Sequence, residues 1–351
     1  MTTLDSLPGA VADERSGVLH YGQPIREQRT FDRGALVPVA REVLQLTGPD
    51  RLTWLDSITT QQLNLKPGDS TEDLVLSPNG KIEHAMKLVD DGESLWIIVD
   101  PGARASLAEF LLRMRFMRQV EIFERDDLVV VGVSGALEAP DGPAWRDGWP
   151  EAAPGGVRYG SYLPDTAWSW REVIVPAGAE LPTDAVAGSV AYDAARIAAG
   201  RPSAADADDR AIPHELDWLT TAVHLTKGCY RGQETVAKVH NLGAPPRRLT
   251  LLHLDGSDSV MPVSGAEVRV GDKAAGHVTS AAYHHELGPI ALALLKRSVA
   301  PDAQLTVLAG DDATHEISAA QEVLVPPEAG HANRPPRLPR LGAVKRPPNR
   351  P

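Results

Sequence analysis

Apolar residues recur along this chain at two different periods, and the change from one to the other divides it. Leu52, Leu55 and Ile58 stand three apart in the run Asp50–Ile58, the spacing of one helical face. Between Ala105 and Met117, the residues Leu107, Phe110, Leu111 and Met114 predict a second helix with a single apolar stripe. Leu95–Val99 and Leu128–Val133 are short unbroken apolar runs, the pattern of buried strands, and Asp100-Pro101-Gly102 stops the first. Leu74–Leu76 and Ile82 flank Asn79-Gly80, so this stretch predicts a strand, a tight turn and a strand. From Leu249 onward the helical period disappears. Leu249–Leu254, Glu267–Val270, Gly276–Ser280, Ile290–Leu294 and Leu305–Leu308 predict short strands separated by glycine, proline and aspartate. Closely spaced strands of this kind predict a small barrel. The class is therefore α+β: a mixed region over 17–245 and a β-barrel over 246–325.

Residues 1–16 read as a flexible leader. Residues 326–351 read as a disordered tail, because His331–Pro351 is dense in proline and carries six basic residues and no acid. Such a tail either solubilises the chain or tethers it to an acidic surface. Pro140–Pro164 predicts a long loop. Trp145, Trp149, Trp168 and Trp170, in it or beside it, either wall a ligand pocket or cap the core beneath.

The formal charge of −12 gives no reason to expect nonspecific nucleic-acid binding. No apolar run approaches the ~20 residues of a membrane-spanning helix. The start lacks the apolar core of a secretory signal. One cysteine in 351 residues permits no internal disulfide, which fits a reducing, cytoplasmic setting. No phosphate-binding glycine loop and no zinc-peptidase motif is present, and the histidines fit no metal-ligand spacing.

That single cysteine, Cys229, lies in Lys227-Gly228-Cys229-Tyr230-Arg231-Gly232-Gln233-Glu234. The pattern from Gln233 to His240 predicts a helix, which places the thiol before its N-terminus. There the helix dipole, Lys227 and Arg231 would favour a thiolate. Lys227, Arg231, Lys238, Arg247 and Arg248 against Glu234 alone make a basic stretch that could hold an anionic ligand. Gln233 offers a donor and an acceptor, and Glu234 complements the helix start. A lone buried cysteine is also an ordinary packing residue, and that reading stays open.

The octet Lys227–Glu234 resembles the signature of the YgfZ folate-binding family, relatives of the glycine-cleavage T-protein. Arg196-Ile197-Ala198-Ala199-Gly200-Arg201-Pro202, Ile212-Pro213-His214-Glu215, His20-Tyr21-Gly22-Gln23-Pro24 with Glu27, and Gly276-His277-Val278-Thr279-Ser280 resemble further segments of the same family. The resemblance implies a GcvT-like core closed by a C-terminal barrel. It implies tetrahydrofolate or a derivative as ligand, and a role with iron–sulfur assembly proteins or client enzymes, and thereby in tRNA modification. A tetrahydrofolate-dependent aminomethyltransferase or demethylase is the alternative. A folate sensor or a tRNA adaptor using the basic tail is a third possibility. By position, Cys229 is the working thiol, and Lys227, Gly228, Tyr230, Gly232, Gln233 and Glu234 complete the signature. Arg196 and Glu172 are implied to bind the folate, Glu172 through the amino-pyrimidinone edge. T-proteins carry an aspartate shortly after a glycine-rich turn. In Gly80-Lys81-Ile82-Glu83-His84 that place falls to His84, which argues against aminomethyl transfer from glycine.

Overall fold

The computed structural model describes residues 1–13, 16–160, 168–310 and 315–332. A five-stranded antiparallel sheet runs in the spatial order Ser70–Leu76, Ile82–Asp90, Ser94–Val99, Glu42–Thr47, Glu121–Glu124. Its alternating side chains serve two cores. On one face Val75, Met86, Leu88, Leu95 and Ile97 pack under the helices Arg51–Ile58 and Arg104–Arg115. On the other, Val43, Val89, Trp96 and Ile98 meet Val130, Trp170 and Ile174 of a second sheet. That sheet orders Ala144–Arg146, Trp170–Pro176, Leu128–Ser134 and Leu36–Pro38. The helices Pro24–Arg33 and Ser189–Ala198 add Phe31, Ala191 and Tyr192 to this shared core.

The C-terminal strands close into a barrel. Its order is Arg247–Leu254, Gly288–Lys296, Lys273–His284, Glu267–Val270, Leu305–Ala309 and His315–Val323. The sixth strand, His315–Val323, breaks its apolar alternation with charge, and its pattern predicts nothing by itself. The predicted helices and strands of the first region are all present. The turn at Asn79-Gly80 is wider than a two-residue hairpin: Ser77 donates to Lys81 O at 2.8 Å and Gly80 donates to Ser77 O at 2.9 Å. Met114, expected on the apolar stripe, lies 38% exposed, because its helix turns its last residues off the sheet.

Packing reaches into both end segments. Leu4 is fully buried, and Thr3–Ser6 forms a 3-10 turn capped by Thr2. Val325 and Ala329 are buried in the core beneath the barrel, so packing continues past residue 326. The basic residues of the predicted tail lie outside the described residues. All four tryptophans belong to the interior: Trp145, Trp149 and Trp170 are buried, and Trp168 packs against the same cores.

Candidate functional site

Lys227 organises the loop that carries the cysteine. Its side chain turns inward, and Nζ donates to the carbonyls of Asp56 at 2.6 Å, Thr59 at 3.0 Å and Gln61 at 2.5 Å. Burial lowers its pKa, opposed by Asp73 and Asp56. The ammonium also lies 5.6 Å from the centre of the buried Tyr230 ring. Gln233 ties the loop from the other side, its Nε2 donating to Lys227 O and Gly228 O at 3.3 Å. Gly232 then opens the helix Gln233–Asn241 with φ 85°. A Cβ there would stand 2.6 Å from Ser77 O, so only glycine lets this loop close on the Gly80 turn.

Cys229 is exposed between these anchors, three residues before the helix cap. It is not a packing residue. The bases expected to activate it are engaged elsewhere. Lys227 holds carbonyls, and Arg231 pairs with Glu83 at 2.6 Å above the Phe110 ring. Most of the basic stretch is therefore already engaged within the chain. Arg247 is consumed by Asp208 and Glu215, and Arg248 is buried against Thr250 and Gln321. Of the acids and bases there, Glu234 and Lys238 face solvent.

A second locus lies where the two sheets and the helix Ser189–Ala198 converge. A cavity of about 530 Å3 is lined by Val39, Arg41, Asp100, Tyr192, Asp193 and Arg196, among others. It shares Arg41, Asp100, Tyr192 and Ser203 with a narrow inner chamber of about 30 Å3, which also meets Ala85, Lys87 and Arg201. Arg196 reaches this locus, held by Asp206 at 2.9 Å and Asp193 at 2.7 Å. Burial would depress the ionisation of Arg196, but these two carboxylates more than reverse it.

Glu172 stands behind the chamber rather than in it. Its carboxylate is fully buried and accepts from Arg41 Nη2 at 3.1 Å, Arg41 Nε at 3.2 Å, Lys87 Nζ at 2.5 Å and Trp170 Nε1 at 3.2 Å. Three of these donors converge on Oε1, and Oε2 accepts from Arg41 Nε. Burial pushes its pKa up, and Arg41 and Lys87 overcome this and bring it to about 2. Glu172 is thus a brace for Arg41 and Lys87, and it presents no exposed surface to a ligand.

His84 is not at this locus. Pleating sends alternate residues of the strand Ile82–Asp90 to opposite faces. Ala85 reaches the inner chamber, whereas His84 lies with Phe110, ring centres 6.3 Å apart. Phe110 is also the ring beneath Arg231, so His84 belongs with the thiol loop. The side chain offered to the chamber after the Gly80 turn is the methyl group of Ala85. Arg41, Lys87, Asp100, Tyr192 and Arg201 escape sequence reading. Of these only Lys87 gives a visible signal, a charge embedded in an apolar strand.

Residues 247–325 match the family model of the glycine cleavage T-protein C-terminal barrel domain. The whole structure superposes on the crystal structure of the glycine cleavage system aminomethyltransferase T from Bartonella henselae. The TM-score is 0.71 at 17% identity, covering 95% of this chain and 99% of that one. This chain has the T-protein fold. A chloroplastic "putative transferase" of Arabidopsis thaliana is 31% identical over 136 residues. That match spans 37% of this chain and 29% of the Arabidopsis protein, less than a third of its length. In a T-protein fold the two loci have distinct addresses. The cavity sits among the sheets, and the thiol sits on the outer loop that leads into the helix before the barrel. Among the described residues no helix is long and apolar enough to cross a membrane, and no cluster of metal-ligating side chains occurs.

Proposed function

We propose that this protein binds a tetrahydrofolate in its central cavity and acts in iron–sulfur cluster assembly or repair, and thereby in tRNA modification, with Cys229 as its working thiol. The observation that carries the reading is the presentation of Cys229. An exposed thiol on a loop pinned by three carbonyl contacts through Lys227 is rigid and outward-facing. That suits exchange with a protein-bound partner better than attack on a small molecule held inside. The cavity fits a folate in volume, since about 530 Å3 lies within the range of small-molecule sites. Tyr192 and Val39 offer apolar surface to a flat heterocycle. Asp193, 43% exposed, and Asp100, 30% exposed and paired with Arg41, are acceptors that its donor edge would meet, and Arg41 and Arg196 line the cavity with their guanidinium groups already held by carboxylates. Tetrahydrofolate supplies a carrier for a one-carbon unit when bound.

An aminomethyltransferase or demethylase is supported by the fold, but the chamber presents Ala85 and no free carboxylate at the end of the Gly80 turn. The deciding experiment is complementation of a strain lacking the gene, under oxidative stress, with wild type and Cys229→Ala. Wild type restores cluster-enzyme activities and Cys229→Ala does not. Normal cluster enzymes in the deletion strain end the proposal. Turnover of a methylamine donor with formation of methylene-tetrahydrofolate would favour the transferase reading.

A further inference from the structure

Two donors in the lining of the inner chamber are buried with nothing to donate to. Among the described residues, Arg201 Nη1 and Trp218 Nε1 are buried without a hydrogen-bond partner, and both residues line the chamber of about 30 Å3. Their backbones are fixed close by. Arg201 N donates to Arg196 O at 2.8 Å, just past the helix Ser189–Ala198. Trp218 N donates to Pro213 O at 3.0 Å and closes a turn in which Asp217 has φ 54°. The guanidinium of Arg201 is fixed as well, with Nε on Asp147 and Nη2 on Glu72, each at 2.9 Å. Nη1 therefore cannot turn away to find another acceptor. Arg201 is 3% and Trp218 1% exposed, so bulk water does not serve them. Buried donors in folded proteins are rarely left unpaired, and two on one small space call for an acceptor inside it.

Size, charge and position select that acceptor. One water needs roughly 10–15 Å3, so the chamber admits about two non-hydrogen atoms. The cations of its lining, Arg41, Lys87 and Arg201, already face Glu172, Asp100, Glu72 and Asp147. An added anion would meet these carboxylates with no lining cation left to match it, whereas a neutral acceptor meets no such penalty. The chamber shares Arg41, Asp100, Tyr192 and Ser203 with the larger cavity, so a small group can enter it while its carrier stays outside. A neutral acceptor of two non-hydrogen atoms on a larger carrier is a formyl group. A ketone or ester carbonyl would bring a further substituent into the chamber. We propose that the inner chamber receives the formyl group of a formyl-tetrahydrofolate, whose oxygen accepts from Arg201 Nη1 and Trp218 Nε1. This rests on the proposed binding of tetrahydrofolate in the cavity, and it sets the one-carbon unit at the oxidation level of formate. A methyl or methylene unit offers no acceptor and leaves both donors unpaired.

The test is isothermal titration of the full chain with unsubstituted, 5-methyl-, 5-formyl- and 10-formyl-tetrahydrofolate. One formyl form should bind at least ~10-fold more tightly than the unsubstituted and methyl forms, the worth of two hydrogen bonds of which one has a charged donor. Trp218→Phe keeps an aromatic ring and removes the Nε1 donor. It should cut that preference to less than ~3-fold while leaving the affinity for unsubstituted tetrahydrofolate unchanged. Arg201→Lys keeps a cation beside Glu72 and Asp147 but lacks Nη1, and should have the same effect. Poor folding of one variant leaves the other to decide, and the wild-type preference stands as a test by itself. Equal affinity of wild type for the formyl and unsubstituted forms overturns the proposal and leaves folate binding intact, with the chamber holding water only. A formyl preference that survives in either folded variant also overturns it. Failure of all four compounds to bind overturns the folate reading itself, and this proposal with it.

Discussion

Lys227 shows how one buried charge can serve geometry rather than reactivity. Its ammonium satisfies three carbonyls that follow the helix Arg51–Ile58 or close it, and a methionine of similar length would leave all three without a donor. Lys227→Met is expected to lower stability by roughly 2–4 kcal/mol, the usual cost of orphaning buried polar groups. Urea unfolding measures this, and limited proteolysis should show new cleavage within 227–232. Glu172 supports a pH prediction. Its folded pKa, about 2, lies below the ordinary carboxylate value of 4.5 because Arg41 and Lys87 outweigh burial. A depressed carboxylate contributes stability that is present above the unfolded value and is lost as pH falls through the folded one. Stability should therefore decline between about pH 4.5 and 2. Glu172→Gln should be less stable at pH 7 and show a shallower acid slope, since its Arg41 and Lys87 are left buried beside a neutral group.

The elements explain why some of the site is legible in sequence and some is not. Helices and strands follow from periodicity, and the octet marks the loop because two of its glycines precede a helical pattern. Which glycine matters is a tertiary question. Gly232→Ala forces a Cβ to 2.6 Å from Ser77 O at a positive φ, and should cost more than ~2 kcal/mol. At Gly228 no atom lies within 4 Å of an added Cβ, so Gly228→Ala should stay within about 0.5 kcal/mol of wild type. A pair of thermal melts separates them, and an equal loss at both positions would contradict the packing. The five-residue turn after Leu76 also fixes the pleat that follows it. Sequence places His84 near the reacting centre by counting from Gly80. The register Val75 opposite His84 and Leu74 opposite Ala85 sends His84 to the helix-covered face and Ala85 to the chamber. Counting alone cannot reveal that phase. The partners of Glu172 are hidden from sequence for a related reason. Its chemistry suits a donor edge, but Arg41 and Lys87, 131 and 85 residues away in sequence, reach it first.

At the scale of the molecule, the cavity and the thiol loop are separate places joined by a continuous polar path. Lys227 donates to Gln61 O, and Gln61 Nε2 donates to Thr221 O at 2.9 Å. Thr221 Oγ1 donates to Glu72 at 2.5 Å, and Glu72 accepts from Arg201 at 2.9 Å. Arg201 lines the inner chamber, and its Nη1 is buried without a partner. A ligand group small enough to enter the chamber of about 30 Å3 and engage Nη1 would shift the guanidinium, and Glu72, Thr221 and Gln61 are all buried, so the displacement has no slack to vanish into. If tetrahydrofolate binds as proposed, saturating it should change the alkylation rate of Cys229 by about 2- to 10-fold, a coupling within the usual 1–3 kcal/mol. Thr221→Val removes the hydroxyl link while keeping the side chain's shape, and should abolish that change without abolishing binding. Isothermal titration measures the binding and iodoacetamide labelling the rate. A ligand-dependent rate that survives Thr221→Val would mean that cavity and thiol communicate by another route. Tight binding with no effect on the wild-type rate would mean that the two loci work independently.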